Sequence, residues 1–328
     1  MVWRMSAFHP LRTFGSRANF IPLGELRVEL AVQRFACTQC GMCCNRSPEV
    51  ELSEAAALAD VFVLRLMFRV YWLPLQLSDY VALGHATADA SAVFYQKKRL
   101  LSAFAAHKSL VKARRDGKSA EYTKYLMISA LALDTRPGAC SALNGERCGI
   151  YDRRPLSCRS VPFHYSRAET LAESGLKAFV ETPGYRCDTS ETAPVVLKGG
   201  QIVAPDMKAA RSEAMAMAER DRRWSEAIVR RMKAGSSARR SLPSLQEIQA
   251  RAHFGATTTS MSLAWQIAAD VGLIGLEECN SLIKLQLTVI DHELAVSRCS
   301  PDARETLGEM GAEYRDQLNV GHAIAVNG

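Results

Sequence analysis

Cys37-Thr38-Gln39-Cys40-Gly41-Met42-Cys43-Cys44 places four thiols within eight residues, in the pattern C-x-x-C-x-x-C-C. Packing does not call for such density, because a small apolar side chain fills a core as well as cysteine does, without the thiol's reactivity. A C-x-x-C step lets two sulfurs face one centre across a tight turn, the arrangement that recurs in zinc and iron–sulfur sites. The stretch predicts a chain organised around a metal, with an irregular, cysteine-rich, metal-stapled centre.

Further along, Cys140, Cys148, Cys158 and Cys187 form a second, looser group. The fold must bring the chain back to the first cluster for the two groups to meet. Four plus four thiols are compatible with two tetrahedral sites, one cluster site with extra ligands, or a metal pair sharing sulfurs. Adjacent Cys43 and Cys44 are hard to aim at one ion, because successive side chains diverge. They are expected to serve different centres, or one of them to be a non-ligand; spacing alone does not assign all eight. Cys37, Cys40, Cys43, Cys44, Cys140, Cys148 and Cys158 are the candidate ligands, with Cys187, outside the tight motifs, as the eighth.

The second group carries a longer signature, Cys148-Gly149-Ile150-Tyr151-Asp152-Arg153-Arg154-Pro155-Leu156-Ser157-Cys158-Arg159-Ser160-Val161-Pro162-Phe163. Together with the upstream motif it resembles the zinc- or iron-chelating cysteine-cluster family, the C-x-x-C-x-x-C-C or YkgJ-type proteins. Cys148, Ile150, Tyr151, Arg154, Pro155, Cys158, Arg159 and Pro162 fall on that family's pattern, and Val161 departs from it. The resemblance covers about residues 35–190 and implies metal binding more firmly than any reaction.

Four thiolates on a dication leave a net −2 that the protein must offset. Arg154 and Arg159 bracket Cys158 and are the candidate cofactor-binding residues, supplying charge and N–H donors to sulfur. Pro155 stiffens the approach to Cys158 and biases Arg154 toward an extended backbone. Tyr151 is expected to pack against the cluster loop. His164 is a candidate neighbour of the site, and Cys279 and Cys299 are expected to be plain thiols. The cofactor is an iron–sulfur cluster or Zn²⁺. A ferredoxin run would separate the last cysteine by three residues, and a zinc ribbon would need a second C-x-x-C knuckle. All-thiolate ligation suits both metals, with the balance toward iron–sulfur.

The 328 residues, 48% of them hydrophobic, can bury a sizeable core. The predicted fold class is mainly α with a minor β-hairpin around the cysteine-rich centre. Ser53 is expected to cap a helix from Glu54 toward Tyr71, stopped by Pro74, with Arg65 and Arg69 at helical spacing arguing against a membrane span. A second helix is expected over 91–115, before Gly117. A hairpin is expected over Val195–Val203 around Gly199-Gly200. Beyond it come a helix from Asp206 to about Ala234 and a linker over 235–243. Ser244 and Glu247 form a capping box, and helices follow over 260–271, over 276–296 and from Pro301. The expected organisation is a basic segment 1–30, a metal-binding domain 31–205, a helix 206–234, the linker, and a helical region 244–328.

Ten cysteines in a chain without a recognisable signal segment suit a reducing cytoplasm. The net charge of +7 is concentrated in two runs, Lys97–Lys118 and Lys208–Arg240. They would allow salt-dependent contact with nucleic acid but do not point to it. No Ser-His-Asp set, phosphate loop or H-E-x-x-H motif is present. The leading expectation is a cytoplasmic metal-binding protein with a structural, redox or metal-handling role. The alternatives are an iron–sulfur-dependent enzyme modifying a protein or small molecule, or a zinc-stapled basic binding module. Any further protein or small-molecule partner is unknown.

Overall fold

The computed structural model describes residues 31–73, 104–115, 118–165, 167–234, 242–296 and 299–326. The basic segment 1–30, Pro74, the first half of the 91–115 expectation and most of the 235–243 linker lie outside them.

Helical residues outnumber strand residues, but the sheet is more than a hairpin. β1 (Val32–Arg34) leads into the first cysteine loop, and β2 (Glu49–Val50) leaves it. A short helix α1 (Leu52–Ala55) and one 3-10 turn (Ala56–Leu58) precede β3 (Leu64–Leu73). β4 (Phe104–Arg115) and β5 (Lys118–Ala132) follow as an antiparallel pair whose register closes Arg115 on Lys118. β5 is central: β3 lies along one edge from Leu64↔Ala132 to Leu73↔Thr123, and β4 and β2 share the other.

Two helix expectations are corrected here. Residues 64–73 form a strand, and so do 104–115. The Arg65–Arg69 spacing of four is a multiple of the strand period of two as well as one helical turn. On β3, Leu64, Leu66, Phe68 and Val70 all point into one core, none more than 2% exposed. The opposite face carries Met67 and Tyr71 with the two arginines. Arg69 pairs with Glu49 at 2.8 Å, and Arg65 reaches the Thr258 carbonyl at 3.4 Å. Aromatic and β-branched residues favour this two-sided burial. Ser53 is not a cap; its backbone N–H and hydroxyl both donate to the buried Asp221 carboxylate.

A small second sheet is built from β1, β8 (Val195–Lys198) and β9 (Gln201–Ile202), in the order β1-β8-β9. Its turn is the expected Gly199-Gly200 pair, with φ of 56° and 77°. A two-residue hairpin with both central φ positive favours glycine there. Between the sheets lie β6 (Leu143–Asn144), β7 (Arg147–Cys148), α2 (Leu156–Arg159) and α3 (Ala172–Val180).

The long helix α4 (Pro205–Ala234) packs against α1 and α2. α5 (Leu245–Ala250) opens on the expected Ser244–Glu247 capping box. β10 (Ala256–Ser260) adds to the free edge of β3, antiparallel from Ala256↔Arg69 to Ser260↔Arg65. α6 (Met261–Asp270), α7 (Leu276–Ala295) and α8 (Pro301–Val326) then cover the sheet. Ile228, Trp265, Ile283, Leu307 and Tyr314 pack with Leu64, Leu66 and Phe68 in one core. Each such side chain contributes about 1.5–3 kcal/mol on burial. Gln286 of α7 is fully buried and clamps the entry to β3: it accepts from the Leu64 N–H at 2.8 Å and donates to the Ala59 and Phe62 carbonyls at 2.7 Å. No helix among the described residues is long and apolar enough to cross a membrane.

Candidate metal centre

The first cysteine loop is tied down at both ends, and each tie leads to a different part of the second group. At its start, Ala36 and Asp188 exchange backbone hydrogen bonds of 2.8 and 3.1 Å, setting the loop beside Cys187. The Thr38 hydroxyl donates to the Arg186 carbonyl at 2.6 Å. At its end, the Cys140 N–H donates to the Cys44 carbonyl at 2.9 Å. Between them the Cys44 N–H closes a turn on the Gly41 carbonyl at 2.9 Å. Gly41 sits at φ 71°, and a Cβ there would lie 2.5 Å from the Glu146 carbonyl oxygen, so only glycine fits. Sequence spacing predicts the C-x-x-C turn; it does not predict that the Glu146 backbone fills its crest.

The second group sits on short elements. Cys148 ends β7, which pairs with Leu143 of β6. Cys158 lies in α2, whose first N–H, from Leu156, donates to the Glu54 carboxylate at 2.7 Å. Burial raises the Glu54 pKa to about 7. The Leu156 and Glu51 hydrogen bonds and the Arg159 charge oppose that rise, and the Glu213 charge adds to it.

All eight clustered cysteines line one cavity of about 1040 Å³, and neither Cys279 nor Cys299 does. All ten are free thiols. Their charges act on one another. Burial, then the charges of Cys40, Cys43 and Cys37, push the Cys187 thiol up to about 11. Burial, then Cys140 and Cys148, push Cys158 to about 12. Burial and Cys148 raise Cys140 as well. Cys44 donates to Cys43 and is itself raised, first by that bond, then by burial and the charges of Cys43, Cys158 and Cys140. The same bond lowers Cys43 to about 7, against burial, with help from its own backbone and from Arg154. At Cys40 burial pushes up, but hydrogen bonds from Met42, Arg186 and Thr38, with the Arg186 charge, outweigh it and leave the thiol below its ordinary value. Cys187 thus feels Cys37, Cys40 and Cys43, Cys158 feels Cys140 and Cys148, and Cys44 feels Cys43 as well as Cys158 and Cys140.

Eight soft donors around one cavity fit zinc or iron. Thiols that raise one another's pKa are relieved when a cation replaces their protons. Among the described residues, no three histidine, cysteine or acidic side chains stand close enough to hold one ion as placed.

Of the two arginines, Arg154 lines the cavity, donates to the Tyr151 carbonyl at 2.8 Å and stacks over the Tyr151 ring at 3.7 Å. Its charge lowers both Cys43 and Cys158. Arg159 faces away from the cavity and pairs with Glu213 at 3.4 Å. His164 lines the cavity and stacks on Tyr165. Cys279 is buried in α7 and Cys299 is half-buried beyond it, both outside the cavity lining. Sequence reading missed Tyr185, whose hydroxyl is raised by burial and by the charges of Cys43, Cys187 and Cys44. It also missed Arg186, which reaches the Cys40 carbonyl at 3.4 Å and Glu146 at 3.0 Å. Their adjacency to Cys187 was the available signal.

Residues 95–187 match the family model CxxCxxCC, described as a putative zinc- or iron-chelating domain. The match takes in Cys140, Cys148, Cys158 and Cys187 and begins after Cys44. No curated protein and no solved structure matches the chain.

Proposed function

We propose that this protein holds zinc or iron in the cysteine-lined cavity through two four-thiolate sets. Cys37, Cys40, Cys43 and Cys187 form one; Cys44, Cys140, Cys148 and Cys158 form the other. The observation that carries this reading is the convergence of all eight clustered cysteines, and neither of the other two, on one cavity. The separate ties of the loop ends to Cys187 and Cys140 support the division. Arg154 offsets the thiolate charge, while Arg159 stands outside the cavity, paired with Glu213. Residues 31–205 carry the metal, with the helix 206–234, the linker 235–243 and the region 244–328 as scaffold. The role is structural, redox or metal-handling, in a reducing compartment such as the cytoplasm that keeps ten thiols free.

A second reading rests on size. A tetrahedral zinc with sulfurs at about 2.3 Å occupies little of 1040 Å³. That leaves room for a reacting molecule beside an iron–sulfur centre, which favours an enzyme over a staple.

Iron and zinc content per chain after anaerobic purification tests the first reading. Cys40→Ser and Cys158→Ser should each lose the metal of one set and keep that of the other. Full retention in both variants, or no metal in the unaltered protein, overturns it.

A further inference from the structure

The cavity walls that are not cysteine have a character of their own. Gly175, Ala178 and Phe179 of α3, with Thr182 just beyond its end, form a wall of the cavity. Phe179 meets Phe35 edge-to-face at 6.0 Å and Tyr185 at 4.9 Å, making an aromatic surface. Four arginines also line the space. Arg69 is paired with Glu49, and Arg154 is committed to Tyr151. Arg46 is exposed to solvent. Arg167 differs from all three. It is half-buried, its Nη1 lies beside α3 at 3.9 Å from where a Gly175 Cβ would stand, and its guanidinium has no acidic partner among the described residues. Burial alone acts on it, holding its pKa below the ordinary arginine value.

A guanidinium kept partly out of water without a counter-ion is costly, and a bidentate carboxylate or phosphate relieves that cost. Pockets for small molecules pair such a polar anchor with aromatic walls, and typical volumes run to roughly 1000 Å³. We propose that the cavity binds a small organic anion, its carboxylate or phosphate on Arg167 and its apolar body against Phe35 and Phe179. This rests on the metal reading only in sharing the cavity. It assigns the space the thiols leave to a ligand.

The test uses the full chain as purified, titrated by calorimetry with 3-phenylpropionate, phenyl phosphate, the neutral 3-phenylpropionamide and inorganic phosphate. One of the two aromatic anions should bind at about 1 mM or tighter, a level set by the size of such probes. The stronger of the two identifies the head group. The amide and inorganic phosphate should each bind at least tenfold more weakly. Arg167→Gln should weaken the aromatic anion at least tenfold, and Arg167→Lys by less. Equal binding of amide and acid, no binding of either aromatic anion at 10 mM (roughly tenfold above the expected constant), or unchanged binding in Arg167→Gln overturns the proposal. Should Arg167→Gln not fold, the acid–amide comparison on the unaltered protein decides. Metal content on the same sample separates the two readings. Anion binding without metal defeats the metal centre and leaves this site standing; metal without anion binding does the reverse.

Discussion

Replacing Glu54 by Gln tests how the helix carrying Cys158 is held. Glu54 is buried, accepts the Leu156 N–H at 2.7 Å and has its pKa raised from 4.5 to about 7, first by burial. The folded state therefore binds the proton more tightly than the unfolded chain. Stability contributed by that proton is present at low pH and lost as pH rises toward 7, the folded-state value. Integrated from pH 5 to pH 8, the two pKa values correspond to a loss of about 2–3 kcal/mol. Glutamine stays neutral throughout, and its amide oxygen can accept the same N–H. Any cost of placing its –NH₂ group is the same at both pH values and drops out of the comparison, as does a pH effect on the thiols common to both proteins. Urea unfolding of both proteins at pH 5 and pH 8 gives the four free energies required. The unaltered protein should lose about 2–3 kcal/mol more than the Gln variant across that interval. Parallel pH dependence in the two would refute a buried carboxyl titrating near neutrality.

Gln286→Ala removes three hydrogen bonds and strands the Leu64 N–H and the Ala59 and Phe62 carbonyls in the core. At about 1–3 kcal/mol for each unsatisfied group, it should cost 3 kcal/mol or more (roughly), read as a fall in the urea midpoint at unchanged slope. Gly41→Ala drives a methyl to 2.5 Å from the Glu146 oxygen at a positive φ, so the C-x-x-C turn must open. Metal content should fall even though no thiol is lost, and metal equal to the unaltered protein would show that the turn is not needed. Metal binding must displace protons from thiols that burial holds at about 11 and 12. Affinity should therefore weaken as pH is lowered, with proton release visible in unbuffered titrations; pH-independent affinity would count against thiolate ligation.

Local signals of the fold were legible wherever one residue type dictated one geometry. Gly199-Gly200 could only mark a turn, and Ser244 with Glu247 marked a helix start that forms as read. The helices over 261–270 and 276–295 followed from apolar spacing over two to five turns. The strands at 64–73 and 104–115 were hidden for a physical reason. Over 64–73 the run is apolar at nearly every position and shows no period, and Arg65 and Arg69 stand four apart, which suits a strand face as well as a helix face. A competing signal was present: Asp116-Gly117 is a two-residue hairpin pair.

The candidate site divides along the same line. That Cys37 to Cys44 belong together is a local fact, because a tight turn fixes where sulfurs two or three residues apart can point. Which of them shares a centre with Cys187 or with Cys140 depends on contacts across the fold, and no spacing encodes those contacts. The structure supplies two: the Ala36–Asp188 pairing at one end of the loop and the Cys44–Cys140 bond at the other. In the proposed division, Cys43 and Cys44 are the point where one set ends and the next begins. Arg167 was illegible for the converse reason. An arginine in sequence is a surface residue by default; only the cavity wall of α3 and the absence of an acidic partner among the described residues single this one out as the proposed anchor. Residues that act by what they lack are the ones a sequence cannot announce.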